Sequence, residues 1–162
     1  MRPLPTDVLD PRIKTVWRVN DGFWVVLAFI ICAAPFALAA AIEPELWVGT
    51  VLLIEIIVFA VLFIVVVFVL PPIRYIRWRY ELTEDYLDIA RGIIWRKRFI
   101  IPFIRVQNTD TRQGPIMRMF GLASVTVATA ADNHEIPGLS IEKADQLRDK
   151  AAELARLARE DV

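Results

Sequence analysis

Residues 23–42, FWVVLAFIICAAPFALAAAI, run for twenty positions without one charged side chain. At 1.5 Å of rise per residue, a helix of that length covers about 30 Å, the thickness of a bilayer's hydrocarbon core. Residues 48–70 repeat the pattern, interrupted only by Glu55. No water is present in hydrocarbon to bond backbone amides, so both runs have to be helical. The linker between them is too short for anything but antiparallel neighbours. The chain is therefore expected to carry a two-helix transmembrane hairpin.

The flanks set the orientation. The linker Glu43-Pro44-Glu45-Leu46-Trp47 has two acids and no base, whereas Arg2, Arg12, Lys14 and Arg18 precede the first run and Arg74, Arg77 and Arg79 follow the second. Cytoplasmic loops carry the excess of Lys and Arg, which places both termini in the cytoplasm. Trp17, Trp24, Trp47 and Trp78 fall near the expected membrane edges, where an indole ring is favoured. The opening MRPLPTDVLD has no apolar run with a cleavage-like end, so no removable signal peptide is expected. The chain divides into a cytoplasmic tail (1–22), the hairpin (23–42 and 48–70) and a cytoplasmic domain (71–162).

Within the first helix Ala33, Ala37 and Ala41 recur every four residues, a stripe of small side chains that permits close helix packing on the hairpin itself or on a second copy. Pro35 removes a backbone donor and is expected to kink this helix. Glu55 is an intramembrane acid, which costs roughly 2.5–3.5 kcal/mol at a helix centre unless protonated or paired. Its readings are a neutral structural role, a contact with another subunit, or ion transport, for which one acid makes a poor relay.

The hydrophobic fraction is 56%, against about 45–50% in soluble chains, and the excess sits in the two runs. Formal net charge is zero, so no global field selects nucleic acid. Locally the balance tips: between Arg74 and Arg118 there are ten Lys/Arg and five Asp/Glu.

After the hairpin the pattern changes. Pro71-Pro72 is expected to end the second helix. Ile76, Trp78, Tyr80 and Leu82 then alternate with Tyr75, Arg77, Arg79 and Glu81, the period of a half-buried strand. Thr83-Glu84-Asp85 reads as a turn, 86–91 as a second strand ended by Gly92, 93–101 as a third, and 103–111 as a fourth with Ile104 and Val106 on one face. Gly114-Pro115 opens a single helical turn through Phe120, residues 122–130 form a fifth strand, and Asp132-Asn133 turns into a last short strand at 134–137. Ser140 then suits an N-cap, and Ile141, Ala144, Leu147, Ala151, Leu154, Ala155 and Ala158 mark one face of an amphipathic helix. Short turns between strands call for an antiparallel sheet, which the helix can cover at an open edge or end. The fold class is α+β.

This order of strands with a closing helix resembles a pleckstrin-homology-like domain. In particular, Trp78-Arg79-Tyr80-Glu81-Leu82-Thr83, Leu87-Asp88-Ile89-Ala90-Arg91-Gly92, the stretch from Ile101 to Asn108, the stretch from Gln113 to Leu122, and Val125-Thr126-Val127-Ala128-Thr129-Ala130 resemble the bacterial membrane-flanked pleckstrin-homology-like family, whose short members are described as YdbS-like. The family usually has glycine where this chain has Ala131, so that turn is expected to differ. The resemblance implies an antiparallel sheet or barrel closed by a C-terminal helix, in a bacterial inner membrane. It implies little about activity, because this fold hosts many tasks.

Chemistry is scarce. His134 reads as an incidental residue of a surface turn, and Cys32 lies in the bilayer, where low dielectric disfavours a thiolate. No Ser/His/Asp set, Gly-rich phosphate loop or metal-ligand spacing is evident, so no catalytic residue, metal or cofactor is expected. Arg96, Lys97 and Arg98, with Arg74, Arg77 and Arg79, can face anionic lipid headgroups, each contributing about 1 kcal/mol near the surface; the bland reading is a solvated hairpin tip. Arg105 and Gln107 are candidates for a partner surface, Asn108 for a strand cap. Met117, Met119 and Phe120 are expected to seal the end of the sheet, the alternative being an exposed peptide-binding patch. The reading is a non-catalytic membrane interaction or scaffold protein, self-associating or bound to another membrane protein, with lipid contact and with no nucleic acid or small-molecule substrate. A lipid sensor and an accessory subunit of a larger membrane complex are the alternatives.

Overall fold

The structure, a computed structural model, describes residues 3–42 and 46–160. Arg2 and the acidic Glu43-Pro44-Glu45 linker, both used above to orient the hairpin, lie outside these residues. Two compact units result: one joins residues 1–16 to 73–162, the other is 17–72.

In the membrane unit, α1 (Ile13–Ile42) and α2 (Leu46–Ile64) are long and apolar enough to cross a bilayer. At Gly22 the helices lie close together: a Cβ there would stand 3.3 Å from Val67 and 3.6 Å from Phe63. Farther along, Phe29 meets Phe59 with ring centroids 5.4 Å apart.

The second helix does not stop at Pro71-Pro72. It widens into a π-helical turn at Val65–Val69, in which the Leu70 N–H donates to Val65 O, and resumes as α3 (Leu70–Arg77). Proline breaks a helix because it lacks a donor and clashes with the carbonyl four residues back. Here the π-turn has shifted the bonding register by one residue and directs its carbonyls to later donors, so both prolines fit the first turn of α3. The expected strand beginning near Tyr75 therefore shortens to β1 (Arg79–Leu82).

Sheet A is β1-β2-β3, with β2 at Tyr86–Arg91 and β3 at Lys97–Pro102; sheet B is β4-β5-β6, with β4 at Val106–Arg112, β5 at Leu122–Thr129 and β6 at Asn133–Ser140. Every pairing is antiparallel. The two sheets meet at a 3-10 turn, Phe103–Arg105, which interrupts the strand expected over 103–111. That turn buries Phe103 and exposes Ile104, so Ile104 and Val106 do not share a face. Leu87, Ile89, Ile101, Leu122, Val125, Val127 and Ile136 are buried and form the core of this unit. Helix α5 (Ile141–Glu160) packs on the 3-10 turn, β4, β5 and β6. It buries Ala144, Ala151 and Ala155, whose small side chains allow close approach to the sheet, while Ile141 is exposed. Ser140 Oγ accepts from the Lys143 N–H at 3.4 Å, the expected cap. A short α4 (Pro115–Met119) precedes β5; Met119 is exposed rather than sealing the sheet.

The segment before α1, read from sequence as a tail, is built into this unit. Asp7 pairs with Tyr80 of β1 through two backbone bonds of 2.9 and 3.1 Å, and the Asp10 N–H donates to Gly138 O of β6 at 2.9 Å. The segment thus ties the outer strand of sheet A to the outer strand of sheet B. Leu9, Ile13 and Val16 are buried there. The sequence reading missed it because prolines and isolated apolar residues carry no helix or strand period.

Candidate functional site

Two features of the sheet unit bring together the functional candidates. The first is the β2–β3 hairpin tip. Gly92 has φ +120, and a Cβ there would overlap the Trp95 carbonyl oxygen, so only glycine lets the loop fold this tightly. The loop leaves Ile94 and Trp95 85% and 81% exposed, beside the exposed Arg96 and Lys97. In the ladder Arg91 sits directly opposite Lys97, a like-charge pair that is unfavourable until an anion neutralises it. No acid occurs between Asp88 and Asp110. Register also places Arg79, the first residue of β1, in the row of Ala90 and Arg98, so the chain passes from α3 into the sheet at the tip end.

The six basic residues proposed for headgroups separate into groups. Arg96 and Lys97 project at the tip. Arg98 turns back: its guanidinium grips Asp88 with bonds of 3.0, 3.1 and 2.6 Å and donates to Pro3 O at 2.9 Å. Asp88 is only 2% exposed, so this two-pronged pair satisfies a buried carboxylate. Arg74 and Arg77 lie in the last turn of α3, where cations favour the helix C-terminus, and Arg79 donates to Trp78 O at 3.0 Å.

The second feature is a cleft of about 580 Å³ between β3 and the start of β6, around the 3-10 corner. It gathers the sequence candidates Arg105 and Gln107 with a residue the sequence reading placed in a surface turn, His134. His134 lies in β6, is 8% exposed, and meets the Phe99 ring at a tilt with centroids 5.0 Å apart. Its parity with Ile136, two residues on, was the available signal that it points inward. Gln107 is the extra residue of a bulge: Val106 faces Thr129 and Asn108 faces Ala128, leaving Gln107 unpaired, the device by which a strand re-aims a side chain. Asn108, near the start of β4, accepts from the backbone N–H of Thr109 and donates its amide to the Asp110 carboxylate.

In the membrane unit Ala33 is half-buried while Ala37 and Ala41 are exposed, and Gly22 lies against Val67 and Phe63. Both carboxylate oxygens of Glu55 are enclosed without a hydrogen-bond partner among the described residues. Among those residues no group of His, Cys, Asp or Glu could hold a metal ion.

Two membrane-spanning helices joined to paired antiparallel sheets with a closing helix define a membrane protein with a pleckstrin-homology-like domain. The chain belongs to the Bacterial PH domain family, whose model matches residues 23–155, hairpin included. It is 38% identical over all 162 residues, the full length of both chains, to the transmembrane protein YdbS of Bacillus subtilis (strain 168). No solved structure matches.

Proposed function

We propose that this chain is a non-catalytic interaction protein of the bacterial inner membrane. Both termini and the sheet unit lie in the cytoplasm, and the domain engages anionic lipid through the β2–β3 tip. The observation that carries the reading is the tip itself: Ile94 and Trp95 stand exposed beside Arg96 and Lys97. An indole favours the headgroup level, and each cation adds about 1 kcal/mol near an anionic surface. The net charge of zero means that attraction is local and sets an orientation rather than drawing in the whole protein.

The test uses full-length protein with Cys32→Ser and a spin label at Trp95→Cys, reconstituted in nanodiscs of zwitterionic or anionic lipid. The label is expected to become inaccessible to water-soluble relaxants only with anionic lipid, and to lose that protection in Arg96→Glu/Lys97→Glu. Equal water access in both lipids overturns the reading.

Self-association is a second reading, favoured by the exposure of Ala37 and Ala41 on α1. Small residues there allow a second copy to approach closely. Photobleaching steps that stay single on dilution in liposomes, and do not change with Ala37→Leu, would exclude it. A fixed stoichiometric partner copurifying in gentle detergent would instead favour an accessory subunit.

A further inference from the structure

We infer that the cleft between β3 and β6 is a binding site for a small amphiphilic carboxylate. Three polar groups meet there with capacity to spare. Arg105 is exposed on the 3-10 turn with no partner among the described residues, Gln107 is thrown out of the ladder by its bulge, and neither ring nitrogen of the nine-tenths-buried His134 has a hydrogen-bond partner among the described residues. With no protein partner and not enclosed, the ring nitrogens remain open to hydrogen bonding with a molecule that enters the cleft. The nearby Thr129 hydroxyl is already spent: it donates to Asp132 O at 2.9 Å and accepts from the Asp132 N–H at 3.1 Å.

The chemistry of the walls selects the ligand. One fixed cation, one amide and one imidazole match a single negative charge, and a guanidinium fork fits the two oxygens of a carboxylate. A doubly charged phosphate monoester would call for a second cation, and none lines the cleft. The remaining wall is apolar, with Ile100, Pro102 and Ile104, of which Ile100 and Ile104 are exposed. It suits a short hydrocarbon body. The volume of about 580 Å³ lies within the range of small-molecule pockets.

His134 is the sole histidine of the chain, so protein labelled with 13C at the histidine Cε1 gives one signal from the cleft itself. Full-length protein in zwitterionic nanodiscs is titrated with hexanoate, hexylammonium, acetate and a short apolar peptide with a free C-terminus. Hexanoate is expected to move the signal saturably. Acetate should bind far more weakly for want of an apolar body, and hexylammonium should not saturate. Arg105→Gln, a change at an exposed and unpartnered side chain, should weaken hexanoate about tenfold or more, while Lys97→Gln leaves it unchanged. Absence of a saturable shift, an equal response to hexylammonium, or full affinity in Arg105→Gln overturns the inference. Response to the peptide alone also overturns it, in favour of a polypeptide occupant.

Discussion

Gly138 in β6 adopts φ +64, and the side chain of Ile13 occupies the space that a Cβ on Gly138 would need. Ile13 is fully buried there. One residue of the last strand and one at the start of the first helix, 125 positions apart, are fitted to each other. Gly138→Ala is therefore expected to combine left-handed strain with overpacking and to cost about 2–4 kcal/mol, and Ile13→Ala about 2–5 kcal/mol through the cavity it leaves. Both are read from thermal or denaturant unfolding of the full chain. Losses within 0.5 kcal/mol would show that the N-terminal segment is not part of the core.

Asp10 anchors the same segment and gives it a pH dependence. The hydrogen bond from the Arg12 side chain holds the Asp10 carboxyl below its ordinary value of 3.8, outweighing desolvation, which pushes the other way. A depressed carboxyl contributes stability that is present above the unfolded value and lost as pH falls through the lower folded one. Arg12 also donates to Phe120 O at 3.0 Å. Hydrogen-exchange protection at residues 7–13, corrected for the intrinsic rate, should fall below about pH 4, and Asp10→Asn should remove that step. A profile identical in the two proteins would contradict this.

Tyr80 titrates at the other end of the scale. Burial, helped by the charge of Asp7, pushes its phenol up to about 12. Because the folded state holds this proton more tightly, the stability it contributes is complete below pH 10 and is lost as pH rises from 10 toward 12. Ultraviolet titration of the three tyrosines should show a late component that Tyr80→Phe abolishes.

Neighbouring basic residues of the tip should behave oppositely. Arg98→Gln strands the buried Asp88 carboxylate and is expected to cost about 2–3 kcal/mol of stability, whereas Arg96→Gln should stay within about 0.5 kcal/mol and weaken only the response to anionic lipid. Equal stability losses would mean that Arg98 is not structurally committed.

Glu55 offers a test inside the bilayer. With both oxygens enclosed and unbonded among the described residues, Glu55→Leu should stabilise the hairpin, by up to about 2.5–3.5 kcal/mol, in a steric-trapping or denaturant measurement. A destabilised hairpin would point to a polar contact that Glu55 makes in the assembled protein.

The sequence was most legible where one periodic signal dominated. The two apolar runs, the alternation over Leu122–Thr129 and the three-and-four spacing of α5 each matched an element, because burial on one face leaves a repeating trace. Errors clustered where two rules competed. Pro71-Pro72 argued for a stop, but a π-turn two residues upstream had already changed which carbonyls needed donors. At Phe103–Arg105 a corner between sheets looked like continuous strand, because a single 3-10 turn barely disturbs alternation. Among the site candidates, Arg96 and Lys97 could be read from charge and loop position. The withdrawal of Arg98 into its pair with Asp88 is a cross-strand relationship that becomes visible only with register. His134 was misplaced for a similar reason: polarity suggested solvent, while its step of two from Ile136 pointed inward.

The sheet unit is discontinuous in the chain, its opening residues separated from the rest by both membrane helices. During synthesis, Leu9 and Ile13 emerge first and wait for partners that appear only after the hairpin has been made. Completion of this unit therefore has to follow translation of β6. A soluble version cut at residue 71 would lack its wedge and expose the hole; one that splices 1–16 onto 73–162 would restore it.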